Sequence, residues 1–222
     1  MDDNQLKLDD NKTKLKDNKK SIKGIFSYNS PVILTFTIIA VAVQAISMIP
    51  VVGWIHNLFV TSPGSLLNPL YYLRLFTHVI GHGGWDHLVG NFTFILLVGP
   101  MLEEKYGSKK LLFMMAFTAV VTALINNIFF SNALCGASGI VFMFILLASC
   151  TTSNKNDNKI PITLILAAVF YLGQEVINSF KPDSVSQMAH ILGGLLGAGF
   201  GLYFAKSGKS KENKDTSLTN QI

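Results

Sequence analysis

The segment Asn132–Phe144, NALCGASGIVFMF, is apolar enough to lie in a membrane, yet it carries a hydroxyl, Ser138, between Gly136 and Gly139. Glycine lets a backbone approach a ligand closely and leaves its N–H uncovered. Where a loop turns into a helix, the first N–H groups have no intrahelical partner. A serine at such a junction stands beside a ready-made oxyanion site. Small residues also line contacts between membrane helices, so the motif alone fits packing as well as catalysis.

Two further groups carry chemistry. His190 lies in MAHILGGLLGAGFG, with Gly193 and Gly197 at i+3 and i+7 on the same helix face. That face suits close backbone contact with a neighbouring helix. If the neighbour is the Ser138 helix, the imidazole reaches the hydroxyl; a structural or proton-relay histidine is the other reading. In HLVGN, His87 and Asn91 stand at i and i+4, one turn apart on one face. Both donate hydrogen bonds and neither carries a fixed negative charge, which suits a developing oxyanion. Interhelical hydrogen bonding is the alternative. A serine nucleophile needs a base and oxyanion donors, and this chain holds one group of each kind.

The elements that must position them are membrane helices. The chain has 222 residues, 50% hydrophobic and 14% charged, with a mean hydropathy of +0.41, which is high for a soluble domain. Five or six apolar runs, the second and fourth of them short, approach the ~20 residues that cross a bilayer core. They cover Pro31–Val52, His87–Leu102, Lys110–Phe130, Ser138–Thr152, Ile160–Ile177 and Gln187–Ala205. With the N-terminus inside, the cytosolic segments hold 16 of the 18 Lys and Arg. The outside segments hold only Arg74 and Lys181. That asymmetry supports six spans with both termini cytoplasmic. Spans two, four and six then all start from outside. His87, Asn91, Ser138 and His190 accordingly share one depth. Ionisable groups inside spans tend to mark function.

The expected organisation is a polar cytosolic tail over residues 1–30, a six-span region over 31–206 and a disordered cytosolic tail over 207–222. The first outside segment, Gly53–Asp86, is long. Trp54, Tyr71, Tyr72 and Trp85 give it the character of a membrane interface, and we expect a structured loop. The net charge of +5 needs no nucleic-acid partner, since the lysines are accounted for by orientation. Cys135 and Cys150 flank one expected span, about 22 Å apart along a helix, which excludes a disulfide. No Cys/His pattern of zinc type is present, so no metal or cofactor is expected.

Together these residues resemble the rhomboid intramembrane serine proteases, from about Pro31 to Ala205. GASG, AHILGG and HLVGN carry the resemblance. LRLFTHVIGHGGWDHLVGNF is similar to the family's Trp-Arg loop and the histidines leading to span two, and EEKYGSKKLL to its glutamate-containing turn. The resemblance implies an all-α, six-helix polytopic bundle in a cell membrane, of bacterial type. It implies an endopeptidase that cuts transmembrane protein substrates with a Ser–His dyad and no acidic third member. Ser138 is then the nucleophile and His190 the base. His87, Asn91 and the Ser138 N–H bind the oxyanion, with Gly136 and Gly139 shaping the wall. Phe142, at i+4 from Ser138, matches an aromatic that packs on the histidine ring. Arg74 and Glu103 match structural positions. Leu73 departs from the family's tryptophan, and Cys135 stands where glycine often precedes the motif. His78 and His82 are expected to serve loop structure. The rival reading is a non-catalytic membrane binder or transporter using the same polar groups.

Overall fold

The computed structural model describes residues 29–150, 162–167, 169–170, 173 and 187–219, with side chains of the last helix to Phe204. Among them the chain is helical. The order is α1 (Pro31–Ser47), a 3-10 turn (Gly53–Phe59), α2 (Pro69–Thr77), α3 (Trp85–Tyr106), α4 (Ser108–Phe129), α5 (Ser138–Ser149), α6 (Ile162–Ala167) and α7 (Gln187–Thr219). Extended pairing among the described residues is a single bridge, Thr61 to Leu134. The N-terminal tail to residue 28, Lys155, Lys159, half of the expected fifth span and Lys181 lie outside the described residues.

α5 is the central helix. Gly139, Ile140, Val141, Met143, Phe144, Leu146 and Leu147 are all buried, and a helix that is apolar all round belongs in the middle of a bundle. α7 packs along it most extensively, while α3 and α4 flank it.

Glu103 explains how the outer helices are anchored. α1 begins with Pro31 at its first position, which suits a helix start, but Ser30 gives no side-chain cap. The orphan N–H groups are met from elsewhere: Val32 and Ile33 donate to the two Glu103 carboxylate oxygens at 3.0 and 3.1 Å. The Ser108 hydroxyl adds a third bond at 2.7 Å. One buried carboxylate thus caps α1 from the end of α3 and ties in the start of α4, with the negative charge at a helix N-terminus as the dipole favours. Gly107, at φ +81°, turns the chain between α3 and α4.

The segment Gly53–Asp86, expected on the outside, is structured. In α2, Asn68 caps the helix through Leu70 N–H. Tyr71 and Leu75 pack on Val120, Ala123 and Leu124 of α4. Tyr71 is therefore a core residue, whereas Trp54, Tyr72 and Trp85 are exposed. Tyr71 and Leu75 share one face a turn apart, and burial follows because α4 packs against that face.

One helix among those described, Ser108–Phe129, is long and apolar enough to cross a membrane by length and composition; Pro31–Ser47 and Ser138–Ser149 are shorter apolar helices. α3 has 22 residues, but it carries His87, Asn91, Glu103, Glu104 and Lys105. The backbone of α7 continues to Thr219. The polar stretch from 207, expected to be disordered, is thus helical here as far as 219. Adding a residue to an existing helix is far easier than nucleating one.

Candidate active site

Ser138 is the first residue of α5, with Ala137 as its N-cap. It sits where helix geometry leaves backbone N–H groups without intrahelical partners. His190 lies in the first turn of α7 and is buried at 9% exposure. Its ring stacks on Phe142, centroids 4.5 Å apart and planes within 7°. Phe142 stands one turn along α5 from Ser138, so the stack lays the imidazole along the serine's own helix.

Glycines bring the two helices to this distance. A Cβ on Gly193 would collide with the Gly139 carbonyl, and one on Gly197 with the Met143 carbonyl. The Ala189 carbonyl in turn lies against Gly139. Backbone therefore meets backbone along the α5–α7 seam, as the spacing of Gly193 and Gly197 leads one to expect.

His87 and Asn91 face the same junction from α3. Gly136 has φ +118°, a region that favours glycine. A Cβ there would lie 2.9 Å from His87 Nε2 and 3.7 Å from Asn91 Nδ2. Both donors thus converge on one spot two residues before Ser138. Asn91 is 8% exposed, and its Nδ2 is buried with no hydrogen-bond partner among the described residues. A buried donor left unpaired is costly, so this orphan demands an explanation. The Gly83 N–H donates to His87 Nδ1 at 3.4 Å, which leaves the proton on Nε2, the nitrogen facing Gly136.

The strand-like run before Ser138 is held by the segment that precedes α3. Thr61 and Leu134 exchange two backbone bonds at 3.0 and 2.8 Å. The Gly136 N–H donates to the His78 carbonyl at 2.9 Å, and the Ala137 N–H to His82 Nε2 at 3.3 Å. Asn127 Nδ2 steadies the Thr61 hydroxyl at 2.9 Å. Thr61, His78 and His82 are accordingly site-building residues that sequence reasoning left in the loop. The histidine run was a visible signal, but its partner segment was not.

Burial pushes the His78 and His82 rings from 6.5 to about 4, so both stay neutral near pH 7. Burial also raises the Cys135 thiol above its ordinary value, which disfavours a thiolate nucleophile beside the serine. Arg74 lies on α2; its carbonyl accepts from His78 N–H at 3.2 Å, and its Nε is buried without a partner among the described residues. Glu103 closes the opposite end of α3. No cluster of metal-binding side chains occurs among the described residues.

A family model described as Rhomboid domain matches residues 69–207, more than half of the chain. YdcA of Bacillus subtilis (strain 168), whose name places it with the rhomboid proteases, is 29% identical over 141 residues, covering 59% of this chain and 65% of its own length. Rhomboid-like protein 11, chloroplastic, of Arabidopsis thaliana is 27% identical over 143 residues, covering 58% of this chain and 51% of its own. The chain thus spans less than two thirds of either relative.

Proposed function

This chain belongs to the rhomboid family of integral membrane proteins, and from that premise we propose that it is an intramembrane serine endopeptidase. Ser138 Oγ attacks a peptide carbonyl in or next to the transmembrane segment of another protein. His190 takes the hydroxyl proton, then gives it to the leaving amine. The oxyanion is received by His87 Nε2–H, Asn91 Nδ2–H and the Ser138 N–H. Water then hydrolyses the acyl-enzyme, with His190 again as base. Phe142 orients the imidazole by stacking, the task that an acidic residue performs in a triad.

The orphaned Asn91 amide beside Gly136 carries the reading. A buried donor with nothing to donate to is what an oxyanion site keeps between turnovers. The convergence of His87 on the same spot adds to it.

The fold is then a six-span bundle with both termini cytoplasmic, supported by the 16-to-2 distribution of Lys and Arg. α5 has 12 residues, about 18 Å of helix, against a bilayer core of ~30 Å. Ser138 therefore begins below the outer face, and residues 130–137 descend to it. Irregular backbone at that depth needs protein partners, which Thr61, His78 and His82 provide. A serine in the membrane meets a substrate in the membrane.

The test is cleavage of a transmembrane substrate in liposomes, together with fluorophosphonate labelling. Wild type cleaves and labels. Ser138→Ala and His190→Ala abolish cleavage, and the double variant is no worse than either, because the dyad acts as a unit. Substantial cleavage by Ser138→Ala sinks the assignment. A folded wild type that neither labels nor cleaves favours a non-catalytic binder or transporter.

A further inference from the structure

His82 has no role in the dyad or among the oxyanion donors, yet it lies between them. Its Nδ1–H donates to the Ile80 carbonyl at 3.1 Å, which fixes the tautomer and leaves Nε2 as an acceptor. That acceptor receives the Ala137 N–H at 3.3 Å in a buried bond. Ala137 is the N-cap of the helix that Ser138 opens. The same ring lies edge-on to His87, centroids 5.1 Å apart at 68°, and against Phe92 at 5.7 Å. One imidazole thus touches both the turn presenting the nucleophile and the ring of an oxyanion donor.

We propose that His82 is a positioning residue for peptide-bond hydrolysis: as a hydrogen-bond acceptor it sets the turn that presents Ser138, and as a ring it seats His87. The proposal rests on the protease reading above. Capture of the Ala137 N–H also decides which amide faces the reaction, since that donor is occupied while the Ser138 N–H follows it into the helix start. The function requires a neutral ring, because an imidazolium has no acceptor nitrogen. Burial keeps it neutral at pH 7, with His87 and His56, the titratable groups that face it, acting in the same direction.

The experiment compares His82→Leu, which removes the acceptor, with His82→Gln, whose amide oxygen reaches the Nε2 position and never titrates. Each variant is reconstituted in liposomes with a transmembrane substrate at pH 7. Turnover, KM, the rate of fluorophosphonate labelling and thermal unfolding in detergent are measured. His82→Leu lowers kcat about 10- to 100-fold, in keeping with the cost of small displacements at reacting groups. KM stays within about twofold of wild type, as expected when ground-state binding is untouched, and labelling slows in parallel. His82→Gln restores kcat to within about fivefold, since it keeps the acceptor. Wild-type turnover by His82→Leu overturns the proposal. So does a His82→Gln protein that melts with wild type but turns over as slowly as His82→Leu. If His82→Leu fails to fold, His82→Gln decides alone: near-wild-type kcat supports an acceptor role, and slow turnover by a folded protein overturns it. A folded wild type that neither cleaves nor labels overturns the protease reading itself, and this inference falls with it.

Discussion

The two sides of Ser138 are built by different physics. On the α7 side, His190 is brought in by shape: Gly193 and Gly197 remove side chains so that helix backbones touch, and a ring stack aligns the imidazole. On the α3 side, the donors His87 and Asn91 face a loop stitched down by hydrogen bonds from Thr61, His78 and His82. The difference follows from what each side must hold. Two helices have satisfied their own backbone groups, so packing is left to join them. A buried irregular run has not, so every amide needs a named partner. The proposed base, His190, therefore depends on the absence of atoms, and the proposed oxyanion site on the presence of polar ones.

That contrast can be broken most severely at the donors. Asn91→Ala removes one proposed oxyanion donor, and kcat falls about 10²- to 10³-fold. Because Nδ2 has no partner to lose, the melting temperature holds or rises. Wild-type turnover on a reconstituted substrate excludes Asn91 from the reaction.

The packing side gives the opposite signature. Gly197→Val drives a side chain into the Met143 backbone, so activity falls about 10²-fold and the protein melts earlier. Gly199→Ala, on the same helix with open space at its Cβ, does neither and gains slightly in helix propensity. Equal melting of the two variants in detergent shows that the α5–α7 seam is not where stability resides.

Glu103 separates stability from chemistry. Its carboxylate accepts three bonds, each worth about 1.5–3 kcal/mol when the acceptor is charged. It lies sixteen positions along α3 from His87, about 24 Å of helix. Glu103→Gln lowers the unfolding temperature while turnover of the folded fraction stays within about twofold, by analogy with distant independent sites. A selective loss of kcat ties the cap to the site.

A further effect is in pH. His78 and His82 have pKa values lowered from 6.5 to about 4, chiefly by burial. Between those values the unfolded chain binds protons that the folded one refuses, so stability rises with pH. It is full above about 6.5 and declines as pH falls toward 4. Thermal unfolding between pH 4 and 7 checks this, and His82→Gln shows a shallower acid decline than wild type.

Much was already legible along the chain. Gly193 and Gly197 announce a close helix contact by their spacing from His190, because a helix repeats every 3.6 residues and the pattern is local. Phe142 at i+4 from Ser138, and His87 with Asn91 at i and i+4, are periodic in the same way. The family resemblance and the all-helical architecture follow from motifs and apolar runs that need no folding to be read. Other relations join segments far apart in sequence, and only tertiary structure decides them. Thr61 meets Leu134, Ala137 meets His82, and Glu103 caps a helix that begins at Pro31. Tyr71 turns inward rather than toward an interface, because α4 offers Ala123 beneath it. Local periodicity says which residues share a face. It does not say what lies opposite, since that depends on how buried amides and carboxylates find partners once the helices pack.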